Sequence, residues 1–258
     1  GPGQWVVGCS SDAVAASSSS SSNSSGLTAV SAEERRLFDA YLTQLFDYNA
    51  KVNLTAVKTR EEANDRHIDD SLALLPVLDK YAAAAGAGGG DVRVIDVGTG
   101  AGLPGVVVAV KRPEWRMTLL DSLKKRCTFL SEVQSSLDLR NVRVEWGRAE
   151  DIGRDAGHRG VYTVAMARAV AELRVLVELT VPMLAVGGFL VAAKGPSPEE
   201  EVAAAAKALE VLKCKVVSID SVASFGDHGQ RTAVVIQKLG ETPKKYPRQA
   251  GTPKKNPL

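Results

Sequence analysis

The feature that most constrains the fold is an alternation of short β-branched runs with helical patterns, which begins at Asp91. Such alternation predicts a parallel sheet with helices packed on both faces. The last two β-branched runs have no helical pattern between them, so residues 225–229 are expected to form the loop of an antiparallel pair. The predicted strands are 92–97, 117–121, 142–146, 162–167, 189–193, 215–223 and 231–239, and the predicted helices between them are 103–111, 123–137, 172–184 and 199–212.

Four segments are expected along the chain. Residues 1–30 form a Ser- and Ala-rich leader that is expected to be disordered, because it buries too little apolar surface to offset the entropy of ordering. Residues 31–90 are predicted to form an N-terminal helical cap and linker, and residues 91–240 form the α/β domain. Residues 241–258 form a basic Pro/Lys tail, which is expected to be extended and mobile.

Helix start signals define the N-terminal cap. Ser31 and Glu34 have the spacing of a capping box, so they predict a helix that extends to about Asn49. A second helical pattern covers about 61–81. The Ala/Gly-rich stretch at 82–90 is then expected to be a flexible linker.

Composition and charge exclude several classes of protein. No apolar run approaches the roughly 20 residues of a membrane span, and the three cysteines lack zinc-type or C-x-x-C spacing. His67 and two nearby aspartates have no third ligand at suitable spacing, so no metal is expected and His67 is interpreted as a packing or substrate-edge residue. His158 and His228 lie in predicted loops and carry no signal. The net charge of +2 conceals a tail, residues 238–258, that carries +5 and would add salt-dependent affinity for RNA.

A glycine-rich loop between the first predicted strand and its helix is the strongest functional signal. Gly98, Gly100 and Gly102 allow a sharp turn and a close approach to a ligand, and N–H groups at the helix start can bind a carboxylate. The next strand ends in Asp121, where an acid can bind both hydroxyls of a ribose. The G-x-G-x-G spacing, preceded by Asp96, favours S-adenosylmethionine over NAD. For the loop alone, a glycine turn that only permits tight packing is the alternative.

A third element of this site follows the third predicted strand. Ala149, Glu150 and Asp151 stand where adenine is usually held, and the residues alone leave a solvated turn open as the alternative. With the hairpin ending, these features predict a class I Rossmann-like methyltransferase fold: a seven-stranded, mostly parallel sheet with an antiparallel terminal hairpin and an N-terminal helical cap. A dinucleotide dehydrogenase would continue with helices.

The methyl acceptor is narrowed by what the sequence lacks. No (Asn/Asp)-Pro-Pro-(Tyr/Phe) motif for exocyclic amines occurs, and Cys127 and Cys214 have the setting of packing residues rather than nucleophiles. Guanine N7 has a free lone pair at neutral pH, so its methylation needs orientation and no general base. The absence of an acid/base constellation is consistent with N7 methylation, and many small nucleophiles would also fit.

Linked motifs in a fixed order cover about residues 31–258. They are Asn53-Leu54-Thr55-Ala56, His67-Ile68-Asp69-Asp70-Ser71-Leu72, Asp96 through Gly105, Asp121 through Arg126, Phe129-Leu130, Arg168-Ala169, Lys194-Gly195, Tyr246-Pro247-Arg248 and Gly251-Thr252-Pro253. They resemble the glucose-inhibited division protein B family of small-subunit rRNA guanine-N7 methyltransferases. The resemblance implies S-adenosyl-L-methionine as cofactor, and a guanine in the decoding-region loop of 16S-type rRNA as substrate. The predicted cofactor-binding residues are accordingly Gly98, Thr99, Gly100, Gly102, Leu103, Asp121, Ser122, Ala149, Glu150 and Arg168.

Basic residues surround the predicted cofactor edge. Lys124, Lys125 and Arg126 open a helix, where cations oppose the helix dipole, and this favours RNA-phosphate binding by Lys125 and Arg126 over a solvated helix start. Arg168 ends the fourth strand and can reach guanine O6 or a phosphate, with an ion pair to an acid after the third strand as the alternative. Lys194 ends the fifth strand at the same rim. Arg168, Lys125 and Arg126 are therefore the predicted substrate-positioning residues.

Other functions stay open at this point. An RNA-binding assembly factor without transfer activity is disfavoured by the intact glycine loop and Asp121, a small-molecule methyltransferase by the 5% aromatic content, and an NAD-dependent oxidoreductase by the hairpin ending. The leader and the Ala-rich composition suggest a plant plastid (chloroplast) member, with a cytoplasmic location as the alternative. No membrane association is expected, and the chain is expected to be a monomer.

Overall fold

A computed structural model of the protein describes residues 29–86, 91–223 and 231–258. The predicted leader through residue 28, the end of the predicted linker at 87–90 and the predicted hairpin loop with His228 lie outside these residues. Among the described residues, no helix combines the length and the apolar character needed to cross a membrane.

Seven strands form one sheet. They are β1 (Arg93–Val97), β2 (Arg116–Asp121), β3 (Val142–Trp146), β4 (Tyr162–Arg168), β5 (Leu184–Lys194), β6 (Cys214–Val222) and β7 (Arg231–Lys238). Their order across the sheet is β3-β2-β1-β4-β5-β7-β6. The first five strands pair in parallel, and β7 pairs antiparallel with both β5 and β6. The predicted mostly parallel sheet with an antiparallel terminal hairpin is confirmed.

The helices cover both faces of the sheet. They are α1 (Ala32–Val52), α2 (Arg60–Ala63), α3 (Asp70–Leu72), α4 (Leu75–Ala84), α5 (Gly105–Lys111), α6 (Lys124–Ser136), α7 (Ala149–Ile152), α8 (Leu173–Thr180), α9 (Glu199–Ala204), α10 (Ala206–Val211) and α11 (Thr252–Lys255). Successive strand residues point to opposite faces, so Val94 and Val164 join one core while Ile95 and Ala165 join another. The first core includes the N-terminal helices, and the second includes α8 and the tail residue Tyr246.

The N-terminal cap departs from its prediction in its second half. The capping box is confirmed, since Ser31 Oγ accepts from the Glu34 N–H and the Glu34 carboxylate accepts from the Ser31 N–H. The second helical pattern, at about 61–81, is present but interrupted: α2, a π-helical turn (Asn64–Asp69), α3 and α4 cover it, with a break at 73–74. Pro76 has no N–H to donate within a helix interior, so a new helix begins beside it. The linker at 82–90 begins too early, because alanine favours helix and Ala82–Ala84 complete α4.

Glycine and proline account for other shifts in the α/β domain. β5 begins five residues before its predicted start. Gly187 and Gly188 lie in this first part of the strand, and glycine does not indicate a strand in the sequence, although the backbone there already pairs with β4. The predicted helix at 172–184 ends at Thr180, and a short 3₁₀ turn containing Pro182 follows. The predicted helix at 199–212 is two short helices that meet at Ala205.

The basic tail is packed against the domain, so the expectation of a mobile extension is wrong. Tyr246 and Pro253 are buried, and Tyr246 belongs to the second core. Arg248 forms an ion pair with Glu178, which is fully buried on α8. A buried carboxylate needs a charged partner, and the tail provides one. The charge and proline content of the tail account for its exposed lysines, but they do not indicate the contacts that anchor the tail to the domain.

Candidate functional site

The glycine loop leaves the carboxyl end of β1 in left-handed backbone conformations. Gly98 has a φ of 69° and Gly102 a φ of 99°, values that side chains rarely tolerate. A Cβ on Gly98 would lie 2.9 Å from Val170 Cγ2, and a Cβ on Gly102 would lie 2.6 Å from Val106 Cγ2. The loop is held to β2 because the Gly98 and Thr99 N–H groups donate to the Leu120 carbonyl at 2.8 and 3.1 Å. Glycine is therefore required for the loop's own packing as well as for access to it.

Asp96 holds the glycine loop through two hydrogen bonds. Its Oδ2 accepts from Thr99 Oγ1 at 2.6 Å and from the Gly105 N–H at 2.9 Å, and the residue is fully buried. Burial raises the pKa of Asp96 to about 6, against these hydrogen bonds, which favour the charged form. The structure thus places the Thr99 hydroxyl against Asp96, on the inner side of the loop.

Asp121 ties the loop to the following helix. Its Oδ2 accepts from the Gly100 N–H at 3.0 Å and from Arg126 Nη1 at 3.2 Å, and its Oδ1 accepts from the Leu123 N–H at 2.9 Å. The residue is buried yet reaches the adjacent pocket. Each carboxylate oxygen has more than one acceptor site, so the group can still bind ligand hydroxyls.

A cavity of about 320 Å³ opens beside the loop, and we call it the loop pocket. Its lining consists of Val97, Gly98, Leu120, Asp121, Ser122, Gly147, Arg148, Ala149, Glu150, Val170, Ala171, Val175, Leu179, Gly251, Pro253 and Lys254. Of the predicted cofactor residues it contains Gly98, Asp121, Ser122, Ala149 and Glu150. The lining does not include Thr99, Gly100, Gly102, Leu103 or Arg168. Glu150 is buried, so its alternative interpretation as a solvated turn is wrong.

A second cavity, of about 410 Å³, lies at the carboxyl ends of β4 and β5, and we call it the arginine pocket. Its lining consists of Arg66, His67, Asp70, Leu74, Arg168, Ala169, Ala193, Lys194, Gly195 and Arg231. Four of these residues are cationic. Arg231 pairs with Asp70 at 3.6 Å, and Lys194 Nζ donates to Glu201 Oε1 at 2.5 Å. Arg66 also pairs with Glu62 at 2.6 Å, so three of the four cations have an acidic partner and the net positive charge of the cavity is small.

Arg168 faces the arginine pocket. Its Nη1 donates to the Arg66 carbonyl at 3.2 Å, so the alternative of an ion pair with Glu150 or Asp151 is wrong. Burial lowers the pKa of Arg168, and the nearby Asp96 carboxylate opposes that shift. A guanidinium in this position keeps its charge and offers further donors to a ligand.

His67 lines the arginine pocket and is largely buried, so both interpretations, a packing residue and a substrate-edge residue, stay open. Its Nε2 lies 2.9 Å from Thr55 Oγ1. Burial lowers the pKa of His67 to about 4, and the Arg168 charge acts in the same direction. The imidazole is therefore neutral at pH 7, and it adds no charge to the pocket.

Two arginines of this pocket were missed from the sequence. Arg66 lies in the π-helical turn, which no periodic pattern indicates. Arg231 begins β7, and because this strand runs antiparallel to β5, its first residue lies at the edge where the parallel strands end. Topology could have identified Arg231, since the start of an antiparallel strand and the end of its parallel neighbour share one edge.

The cations at the start of α6 have partners within the protein. Arg126 pairs with Asp121, Lys125 Nζ donates to the Val52 carbonyl at 3.1 Å, and Lys124 Nζ lies 5.3 Å from the centre of the Trp146 ring. Neither pocket is lined by these three side chains. The proposed contact of Lys125 and Arg126 with RNA phosphates stays a prediction. Among the residues that the structure describes, no cluster of three or more His, Cys, Asp or Glu is placed to hold a metal ion.

The fold and the two pockets define the class, a Rossmann-like S-adenosylmethionine-dependent methyltransferase. Residues 34–231 match the model of the family GidB, rRNA small subunit methyltransferase G. The chain is 40% identical over 234 residues to ribosomal RNA small subunit methyltransferase G of Moorella thermoacetica, covering 91% of this chain and 94% of that protein. It is also 40% identical over 230 residues to the protein of the same name from Carboxydothermus hydrogenoformans, covering 89% and 94%. The chain belongs to the GidB family.

One solved structure supports the fold alone. The [4+2]-cyclase SpnF superposes with a TM-score of 0.51 at 14% identity, covering 84% of this chain and all of that chain. At that level of identity the similarity concerns architecture and carries no information on substrate.

Proposed function

We propose that this protein transfers a methyl group from S-adenosylmethionine to N7 of a guanine in small-subunit 16S-type rRNA. The observation that carries the proposal is that consecutive residues at the end of β4 line the two pockets. Arg168 and Ala169 line the arginine pocket, and the next two residues, Val170 and Ala171, line the loop pocket. A methyl donor in the loop pocket and an acceptor in the arginine pocket would lie on either side of this short stretch of backbone.

The loop pocket suits the cofactor. Asp121 and Glu150 supply carboxylate acceptors of the kind that bind ribose hydroxyls and an adenine amino group, and the loop allows the backbone to approach closely. When bound, S-adenosylmethionine supplies an electrophilic methyl group on a cationic sulfur. The task of the protein is then to orient the acceptor and exclude water.

The arginine pocket suits a nucleotide of RNA. Arginine and lysine bind phosphates, and an arginine can donate to guanine O6 while N7 stays exposed. As the new bond from N7 to the methyl carbon forms, the bond from sulfur to that carbon breaks, and no proton moves. Apart from His67, the lining contains no aromatic ring on which a small aromatic substrate would stack.

The acceptor assignment is tested on small ribosomal subunits that lack the modification. The purified protein is incubated with these subunits and labelled cofactor, and 7-methylguanine is located by borohydride and aniline cleavage with primer extension. We expect one new stop in the decoding-region loop, which is absent with an Arg168→Met variant. Equal cleavage with and without the enzyme, or label at another base atom, would refute the assignment.

We further propose a plastid location and a monomeric state. The support for the location is the Ser/Ala-rich leader with a single acid, Asp12, within residues 1–30. A fusion of residues 1–30 to a fluorescent protein should enter plastids of plant cells, and diffuse cytoplasmic fluorescence would contradict it. Light scattering should give a mass near 27.3 kDa, and twice that mass would contradict the monomer.

A further inference from the structure

The C-terminal tail supplies part of the loop pocket. Gly251, Pro253 and Lys254 line the cavity together with Asp121 and Glu150, although at least a hundred residues separate them in sequence. The pocket is therefore complete only when the tail is docked. None of these tail residues belongs to the strand–loop–helix element that ordinarily defines such a site.

The tail is anchored at points outside the pocket. Arg248 forms a two-pronged ion pair with the fully buried Glu178, with Nη2 to Oε2 at 2.7 Å and Nε to Oε1 at 2.9 Å. The Arg248 N–H also donates to Glu178 Oε1 at 2.8 Å. Arg159 holds the preceding residues, because Nη1 donates to the Tyr246 carbonyl and Nη2 to the Thr242 carbonyl, both at 2.8 Å. These contacts fix the tail's course without contacting the cavity.

A single contact joins the tail directly to a predicted cofactor residue. The Gly251 N–H donates to Glu150 Oε1 at 2.8 Å, and Gly251 has a φ of 83° that suits glycine. The other oxygen, Glu150 Oε2, accepts no hydrogen bond from the residues that the structure describes. One carboxylate can thus hold the tail with Oε1 and keep Oε2 for a ligand.

We propose that residues 251–258 form a wall of the S-adenosylmethionine pocket, with Glu150 as the positioning residue that latches this wall. Tail docking and cofactor affinity are then coupled: the tail tightens cofactor binding, and the cofactor holds the tail in place by the same factor. The inference rests on the cofactor-binding part of the proposed function. It does not depend on which atom receives the methyl group.

A shortened chain tests the wall. Ending the protein at Ala250 removes Gly251, Pro253 and Lys254 but retains Tyr246 and the Arg248 anchor. Isothermal titration with S-adenosylhomocysteine should show a Kd at least tenfold higher than that of the full chain, with the circular dichroism spectrum preserved. A Kd within twofold of the full chain would overturn the proposal.

A conservative variant tests the anchor without altering the pocket lining. Arg248→Lys keeps a positive charge near Glu178 but loses the planar fork, so the tail should undock more often and the Kd should rise about three- to tenfold. Arg174→Lys is the matched control, because Arg174 is a half-buried arginine on α8, the helix that carries Glu178, but it pairs with Glu172 and does not contact the tail's anchor. Equal Kd values for the two variants would contradict the coupling. This comparison also decides the question if the shortened chain fails to fold.

Proteolysis gives a readout that needs no catalysis. Trypsin cleavage after Lys254 and Lys255 should slow when S-adenosylhomocysteine is added to the full chain, and Arg248→Lys should weaken that protection even at ligand concentrations that saturate the variant. If the full chain binds no cofactor at all, the proposed function fails. If it binds cofactor, but the tail is unprotected and the shortened chain binds equally well, only the present inference fails.

Discussion

Replacing Tyr41 by phenylalanine tests how the N-terminal cap supports the glycine loop. Tyr41 lies on α1, is fully buried, and donates its hydroxyl to the Ala101 carbonyl at 2.8 Å. Phenylalanine fills the same space and keeps the ring packed near Phe129, whose centroid is 6.4 Å away. The substitution therefore removes one hydrogen bond and leaves a buried carbonyl oxygen without its donor.

The expected loss follows from that unsatisfied carbonyl. A buried acceptor without a donor costs about 1–3 kcal/mol of unfolding free energy, which for a chain of this length lowers the Tm by roughly 2–12 °C. Ala101 belongs to the glycine loop, so without this hydrogen bond the loop is less ordered before the ligand binds. Part of the binding free energy is then spent on ordering the loop, and the affinity falls. We expect the Kd for S-adenosylmethionine to rise about three- to tenfold, since 1.4 kcal/mol corresponds to tenfold.

Tyr48→Phe provides the matched control for this prediction. Tyr48 lies on the same helix and packs its ring 5.1 Å from Phe129, but its hydroxyl makes no hydrogen bond within the described part of the chain. Differential scanning calorimetry and isothermal titration should show little change for Tyr48→Phe and both losses for Tyr41→Phe. Equal behaviour of the two variants would refute the argument that α1 holds the loop through this hydroxyl.

Three further predictions concern the two pockets. Arg168→Lys should lower the rate of RNA methylation by about 10²- to 10³-fold. The calorimetric Kd for S-adenosylmethionine should stay within twofold, because Arg168 lines the arginine pocket and not the loop pocket. A rise in Kd that matches the loss of rate would contradict this. Asp121→Asn should raise that Kd at least tenfold and lower the Tm, because it weakens the contacts to Gly100 and Arg126; an unchanged Kd would count against it. As pH falls from 6.5 to about 4, His67 should cost up to about 3 kcal/mol of unfolding free energy, because the unfolded chain binds a proton that the folded chain, with its lowered pKa, refuses. Urea unfolding across this range should show a weaker acid loss for His67→Gln, and an identical loss would refute the assignment.

The fold was predictable because its information is local. Each strand is a short run of β-branched residues, four of the connections between strands are helical patterns, and the missing helix before β7 indicates the terminal hairpin. The glycine loop was predictable for the same reason, since left-handed conformations at Gly98 and Gly102 limit the residue type at those positions. Asp121 followed because the carboxyl ends of neighbouring parallel strands share one edge.

The remainder depends on contacts between residues far apart in sequence. The tail resembles a solvated extension by composition, and only the position of Glu178 on α8 shows why the half-buried Arg248 docks against it. The π-helical turn that brings Arg66 to the arginine pocket has no sequence signature. Arg126 was predicted to bind phosphate because its charge opposes the helix dipole, but its ion pair with Asp121 already accounts for that position. Local patterns identify such charges and cannot identify their partners.

The backbone at the end of β4 explains why the two pockets lie so close together. Ala169 has a φ of 55°, an unusual value for a residue with a side chain, which costs roughly 1–2 kcal/mol. This turn directs Arg168 into the arginine pocket and returns the chain so that Val170 packs against Gly98. A regular extended residue would instead continue the strand away from the loop. The missing Cβ of Gly98 makes room for Val170, so the glycine loop and the end of β4 are packed against each other. Under the proposed function, this shared backbone would align methyl donor and acceptor, which is what a reaction without a general base requires.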